Sequence, residues 1–121
     1  MLPKENRLKK QKDFDSVLRS REIFFGKFLI LKRIENNLKE SRVAFIVSKK
    51  VSSKAIVRNK IKRRLREIVR GDLKKIKNGY DIVFFTKKGV EKMEYSEVKK
   101  EVEQLFKKSN LYNETINIKN N

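Results

Sequence analysis

The sequence predicts an α+β fold, a single domain whose helices pack on a small mixed β-sheet. Three short apolar stretches read as strands and three others repeat apolar residues at a period near 3.6, and the two kinds are interspersed along the chain. At 121 residues the length suits one core, and 38% hydrophobic content with eight Phe is enough to fill it. The predicted order is helix, strand, strand, helix, strand, helix, with room for an extra short strand near residues 22–25.

Residues 1–10 are basic and poor in apolar side chains, which predicts a flexible arm. Phe14, Val17 and Leu18 fall at i, i+3 and i+4, so a short amphipathic helix is expected over about residues 11–20. In 27–34 (KFLILKRI), Phe28, Ile30, Lys32 and Ile34 share one face of a strand, and Leu29, Leu31 and Arg33 the other. After a polar turn at 35–40, residues 42–48 (RVAFIVS) are apolar on both faces. They are expected to form a central strand, paired antiparallel with the one before.

A loop at 49–55 leads into 56–70, where Val57, Ile61, Leu65 and Ile68 make a helical stripe and Gly71 is the expected stop. Asn78-Gly79 marks a turn before a third strand, 80–86 (YDIVFFT). A last helix over about 95–108 carries Val98, Val102, Leu105 and Phe106, with Ser96 as N-cap. Residues 109–121 hold five Asn and few apolar side chains, an expected disordered tail that leaves 11–108 as the domain.

Charge narrows the function. The net charge is +18, from 33 Lys and Arg against 15 Asp and Glu. So much self-repulsion does nothing for a fold and points to a polyanionic partner, nucleic acid first. The chain has no Cys and no His, which excludes disulfides, Cys/His zinc sites, Cys nucleophiles and His bases. Asp13 and Asp15 are two apart on a predicted helix and point in different directions, as surface or capping residues rather than metal ligands. The N-terminus lacks the apolar segment of a signal peptide and no apolar run is long enough to span a bilayer, so a soluble, cytoplasmic protein without membrane contact is expected.

The charge concentrates in 58–70, RNKIKRRLREIVR, with seven basic residues in thirteen and the single acid Glu67. On a helix, Lys60, Lys62, Arg63, Arg64, Arg66 and Arg70 spread over the arc opposite the apolar stripe. A solvated face ordinarily mixes signs; this one presents an array of cations suited to phosphate, with Arg able to hold it bidentately. Arg58 lies in line with Leu65 on the buried stripe and is expected to reach past the edge of the core at the first turn. Asn59 beside it can reach a base edge or a sugar hydroxyl. At this level a helix for the DNA major groove looks similar. A DNA-binding regulator also needs a second recognition element or a dimer seam, and neither is visible.

Ser48-Lys49-Lys50-Val51, a loop, and then Arg58-Asn59-Lys60-Ile61-Lys62-Arg63 resemble the signature of the bacterial ribonuclease P protein family. There, a Ser-Lys-Lys strand end leads into an Arg-Asn-Arg helix. Arg7-Leu8, Asp13-Phe14, the strands, Gly79-Tyr80-Asp81-Ile82-Val83 and the closing helix follow in matching order, so the likeness covers about residues 6–112. Lys60 replaces the motif's second Arg and keeps its charge. The loop 51–57 is one residue longer than the family pattern, which leaves the helix start open.

The resemblance implies a subunit of an endoribonuclease whose RNA partner performs the hydrolysis with magnesium, and a left-handed crossover through the basic helix. It implies that Arg58, Asn59, Lys60, Lys62, Arg63, Arg64 and Arg66 contact the catalytic RNA. It places the 5′ leader of precursor tRNA in a cleft between the first helix and the sheet, at Phe14, Leu18 and Lys32. Ser48, Lys49 and Lys50 are assigned to the leader with them, and Lys54 is a further phosphate contact at the strand–loop junction. The residues alone leave two readings of Phe14, core packing and a stacking platform for an unpaired base. A ribosomal or other structural-RNA-binding protein is the alternative function.

Overall fold

The structure, a computed structural model, describes residues 2–113. Strands β1 (Ile23–Phe25), β2 (Leu29–Glu35), β3 (Arg42–Ile46) and β4 (Tyr80–Thr86) form one mixed sheet in the order β1-β2-β4-β3. β2 is antiparallel to both β1 and β4, whereas β3 runs parallel to β4. The predicted antiparallel pairing of 27–34 with 42–48 is therefore wrong, because β4 lies between β2 and β3. β4 takes the central slot because Ile82, Val83 and Phe84, all fully buried, fill both of its faces.

β3 is an edge strand, not the central one expected. Both of its faces are packed under helices, and the N-terminal segment covers its open edge. Arg7 bridges to Val43, and the Leu8 N–H donates to the Val43 carbonyl at 3.2 Å. Leu2 and Leu8 are buried, a 3₁₀ turn spans Lys4–Asn6, and Asn6 Nδ2 donates to the Ser41 carbonyl at 2.8 Å. The expected flexible arm is thus packed structure from residue 2 onward, shielding the open edge of the sheet.

Helices cover both faces. Leu29, Leu31, Val43, Ile82 and Phe84 meet α2 (Ala55–Asp72) through Ile61, Leu65, Ile68 and Val69. The same face meets α3 (Tyr95–Lys108) through Val98, Val102, Leu105 and Phe106. Phe84 stacks with Phe45 at 5.7 Å between centroids and meets Phe106 edge-on at 5.6 Å. The opposite face, with Ile34, Ala44, Ile46, Val83 and Phe85, carries α1 (Gln11–Leu18), which buries Val17 and packs Phe14. With eight residues α1 is only about 12 Å long, and Ile30, Ile46 and Phe85 remain partly open beside it. α2 crosses from β3 to the neighbouring parallel β4, the connection for which the resemblance implies a left hand.

Several boundaries differ from expectation for local reasons. α2 continues through Gly71 to Asp72, because the buried Asp72 carboxylate accepts a hydrogen bond from the Tyr112 hydroxyl at 2.9 Å and holds the last turn. The N-cap of α3 is Glu94, in a reciprocal capping box with Glu97, and Ser96 lies inside the first turn. The start of the expected disordered tail closes the core: Leu111 and Tyr112 are buried, and Tyr112 bridges to Ile76. The rest of that tail, 114–121, lies outside the described residues. The turn at Asn78-Gly79 is present, with Gly79 at a φ of +88°, a conformation that favours glycine.

Candidate nucleic-acid interface

The cations of α2 divide into two flanks. At about 100° per residue, Lys62, Arg66, Asn59, Arg70 and Arg63 follow one another around one side of the helix, and Lys60 and Arg64 lie on the other. Among the described residues, no Lys or Arg of α2 is in an ion pair.

Arg64 departs from expectation. It is half-buried, and its Nη1 donates to the Met93 carbonyl at 2.9 Å, tying α2 to the turn before α3. Arg58 Nη1 donates to the Ser52 carbonyl at 2.9 Å, so its guanidinium reaches past the buried stripe and braces the loop ahead of the helix. In that loop Val51 turns inward and is buried, its N–H donates to the Ser48 carbonyl at 3.1 Å, and α2 starts at Ala55. Ser48, Lys49, Lys50 and Lys54 are exposed on this loop, and Asn59, Lys60 and Arg63 on the helix after it.

A groove of about 340 Å³ runs between the N-terminal segment, β3 and α2, lined among others by Arg7, Lys9, Phe14, Lys62 and Arg66. A second hollow of about 450 Å³ shares Arg7 and Lys9 with it and adds Lys4, Lys10, Arg42 and Glu5. Two sets of residues that the sequence kept apart, Phe14 on α1 and the cationic flank of α2, thus meet in one groove. Phe14 is half-buried: it packs against the cluster of Leu8, Val17, Ala44 and Val83 and also lines the groove.

The other α1 candidates meet at its C-terminus. Lys32 Nζ donates to the Leu18 carbonyl at 2.8 Å, where the negative end of the helix dipole favours a cation. Lys32 is therefore anchored beneath α1. Leu18 is exposed beside it.

α1 is fixed at its other end by charge. Arg42 holds Asp81 through two hydrogen bonds of 2.8 and 2.7 Å and approaches Asp13 at 3.3 Å. The hydrogen bond to Asp81 raises the Arg42 pKa above its ordinary value, against the opposing effect of burial. Asp13 is thus a helix anchor. Among the described residues, no three His, Cys, Asp or Glu are grouped to hold a metal ion, and no helix is long and apolar enough to cross a membrane.

Arg7 and Lys9 were not among the sequence-based site residues. Their signal was present, an apolar Leu8 between cations, but a ten-residue basic stretch carries no period to say that it is packed.

Known proteins agree with this architecture. The family model described as Ribonuclease P matches residues 2–110. The chain is 39% identical to the ribonuclease P protein component of Alkaliphilus oremlandii, with 92% of this chain and 96% of the relative covered. It is 36% identical to the corresponding component of Fusobacterium nucleatum, over 88% of this chain and 98% of that one. Among solved structures, the Thermotoga maritima RNase P protein superposes with a TM-score of 0.76 at 27% identity, covering 84% of this chain and 96% of that one. The Staphylococcus aureus RNase P protein does so with a TM-score of 0.81 at 25% identity, covering 89% and 98%. The chain belongs to the ribonuclease P protein family, the protein side of an endoribonuclease.

Proposed function

We propose that this chain binds the catalytic RNA of ribonuclease P and the 5′ leader of precursor tRNA, and so assists endonucleolytic removal of that leader in the cytoplasm. In this reading Asn59, Lys62, Arg63 and Arg66 meet the RNA subunit directly, with Lys60 at the margin. Arg58 and Arg64 shape the surface through their backbone hydrogen bonds while contributing charge. Phe14 offers a ring to an unpaired leader base, and Leu18 extends the apolar wall. Lys32 sets the helix that carries both, and Ser48, Lys49 and Lys50 receive phosphates on the loop after β3.

The observation that carries this reading is the convergence of Phe14 with Lys62 and Arg66 in one groove. An aromatic ring beside unpaired cations is the pattern of a site for single-stranded nucleic acid, tolerant of sequence because every base has a face to stack. Nothing in the groove is equipped to activate water: it contains no His and its walls are cationic. Hydrolysis, and the magnesium that the family's reaction uses, are assigned to the RNA, and the protein's part is to hold both RNAs in register.

The test is a comparison of precursor and mature tRNA binding to the RNA subunit with and without the protein. The proposal expects the protein to tighten precursor tRNA selectively. Equal tightening of both would favour a general structural-RNA binder.

A further inference from the structure

We propose that the β1–β2 hairpin carries a separate stacking site for an unpaired base of RNA, formed by Phe25 and flanked by Lys27, Lys87 and Lys108. It rests on the reading that single-stranded RNA lies on the α1 face of the sheet, and extends that surface to the edge opposite β3.

Phe25 is 54% exposed, whereas its neighbour Phe24 packs against the core. Residues paired across adjacent strands share a face. The register pairs Phe25 with Ile30, Ile30 with Phe85, and Phe85 with Ile46. Phe25 is therefore the outer end of an apolar row that crosses the sheet beside α1, two strand spacings, or about 10 Å, from Phe85.

The surroundings are cationic. Lys87 Nζ lies 5.8 Å from the Phe25 ring centroid, and Lys108 Nζ donates to the Phe25 carbonyl at 2.8 Å. Lys27 Nζ lies 5.5 Å from the ring of Phe28, the next residue in the turn. The carboxylate at this turn points inward: Glu101 is buried and accepts the Phe28 N–H at 2.9 Å. Glu22, before β1, pairs with Arg33 at 3.3 Å.

The platform is also rigid. The Gly26 N–H donates to the Leu29 carbonyl at 2.7 Å, and a Cβ at Gly26 would come within 2.8 Å of the Glu101 carboxylate, so the turn is built around glycine. A fixed, exposed ring among ammonium groups suits a partner that combines negative charge with planar apolar surface, and an unpaired nucleotide does so. A second copy of a chain with a net charge of +18 lacks the complementary charge.

Binding of a labelled oligouridylate to the full chain tests this, with wild type compared with Phe25→Ala, Phe25→Tyr, Lys87→Gln and Phe14→Leu. Phe25→Ala should raise Kd roughly five- to a hundredfold at unchanged melting temperature, and Phe25→Tyr, which keeps a stacking ring, should bind like wild type. Lys87→Gln should weaken binding at low salt and less so at high salt. Wild-type affinity in Phe25→Ala together with a loss in Phe14→Leu would overturn the hairpin site and leave the α1 cleft standing. Wild-type affinity in both would overturn the two together. A wild-type dimer that Phe25→Ala converts to a monomer would show the ring to be a self-contact and overturn the proposal.

Discussion

The guanidinium of Arg64 donates a hydrogen bond to the backbone carbonyl of Met93 at 2.9 Å. This contact sets Arg64, which holds the helix against the turn before α3, apart from Arg63, which is exposed. Arg64→Ala should therefore cost about 1 kcal/mol of stability, the net worth of a typical hydrogen bond, since the site is only half-buried. Arg63→Ala should cost less than about 0.5 kcal/mol, since Arg63 is exposed, yet weaken binding of the RNA subunit more. Thermal melting paired with RNA binding for the two variants separates the roles.

Phe14 both packs and lines the groove, so truncation to Ala mixes lost stability with lost binding. Phe14→Leu keeps most of the apolar volume and removes the ring. It should stay within about 1.5 kcal/mol of wild type in stability. Its preference for precursor over mature tRNA should fall, because mature tRNA has no leader to stack. Equal affinity losses for the two substrates would leave Phe14 with only a packing role.

Removing one partner of the Arg42–Asp81 pair should be costly, since Asp81 is buried and the pair fixes α1 through Asp13. Asp81→Ala leaves Arg42 without its main partner and should destabilise by about 3–5 kcal/mol. Denaturant unfolding checks the magnitude.

Tyr112 links the end of the described chain to α2. Burial, with the nearby Asp72 carboxylate, pushes its phenol well above the ordinary value. The folded state therefore keeps the proton while the unfolded chain releases it near pH 10. That contribution is fully present below about pH 10 and is lost as pH rises further, at up to about 1.4 kcal/mol per pH unit. Tyr112→Phe should start less stable, because Asp72 loses a hydrogen bond, and should then lose less stability between neutral and alkaline pH. Parallel alkaline slopes for the two proteins would count against the buried phenol.

Much of the fold was legible because period is a local property. Tyr80–Thr86 and Tyr95–Lys108 match their predicted bounds, and the short strand Ile23–Phe25 is where room was left for it. Strand partners were not legible: residues 42–48 have the composition of a central strand, and they sit at an edge with helices on both faces and the N-terminal segment along the open side. The flank of α2 followed from counting at helical spacing. The hydrogen bonds of Arg64 and Lys32 to backbone carbonyls at Met93 and Leu18 depend on where other elements dock, and a period in one helix or strand cannot report that.

Cleavage of precursor tRNA at low magnesium by a bacterial ribonuclease P RNA, with and without this chain, tests the central claim most directly. The protein alone should leave the substrate intact, the RNA alone should cleave slowly, and the two together should cleave rapidly. The gain should decline with salt as about six phosphate contacts are lost, with log K for assembly falling against log salt at a slope of roughly −4 to −5. Cleavage by RNA-free protein, or an RNA rate unmoved by its addition, would contradict the account.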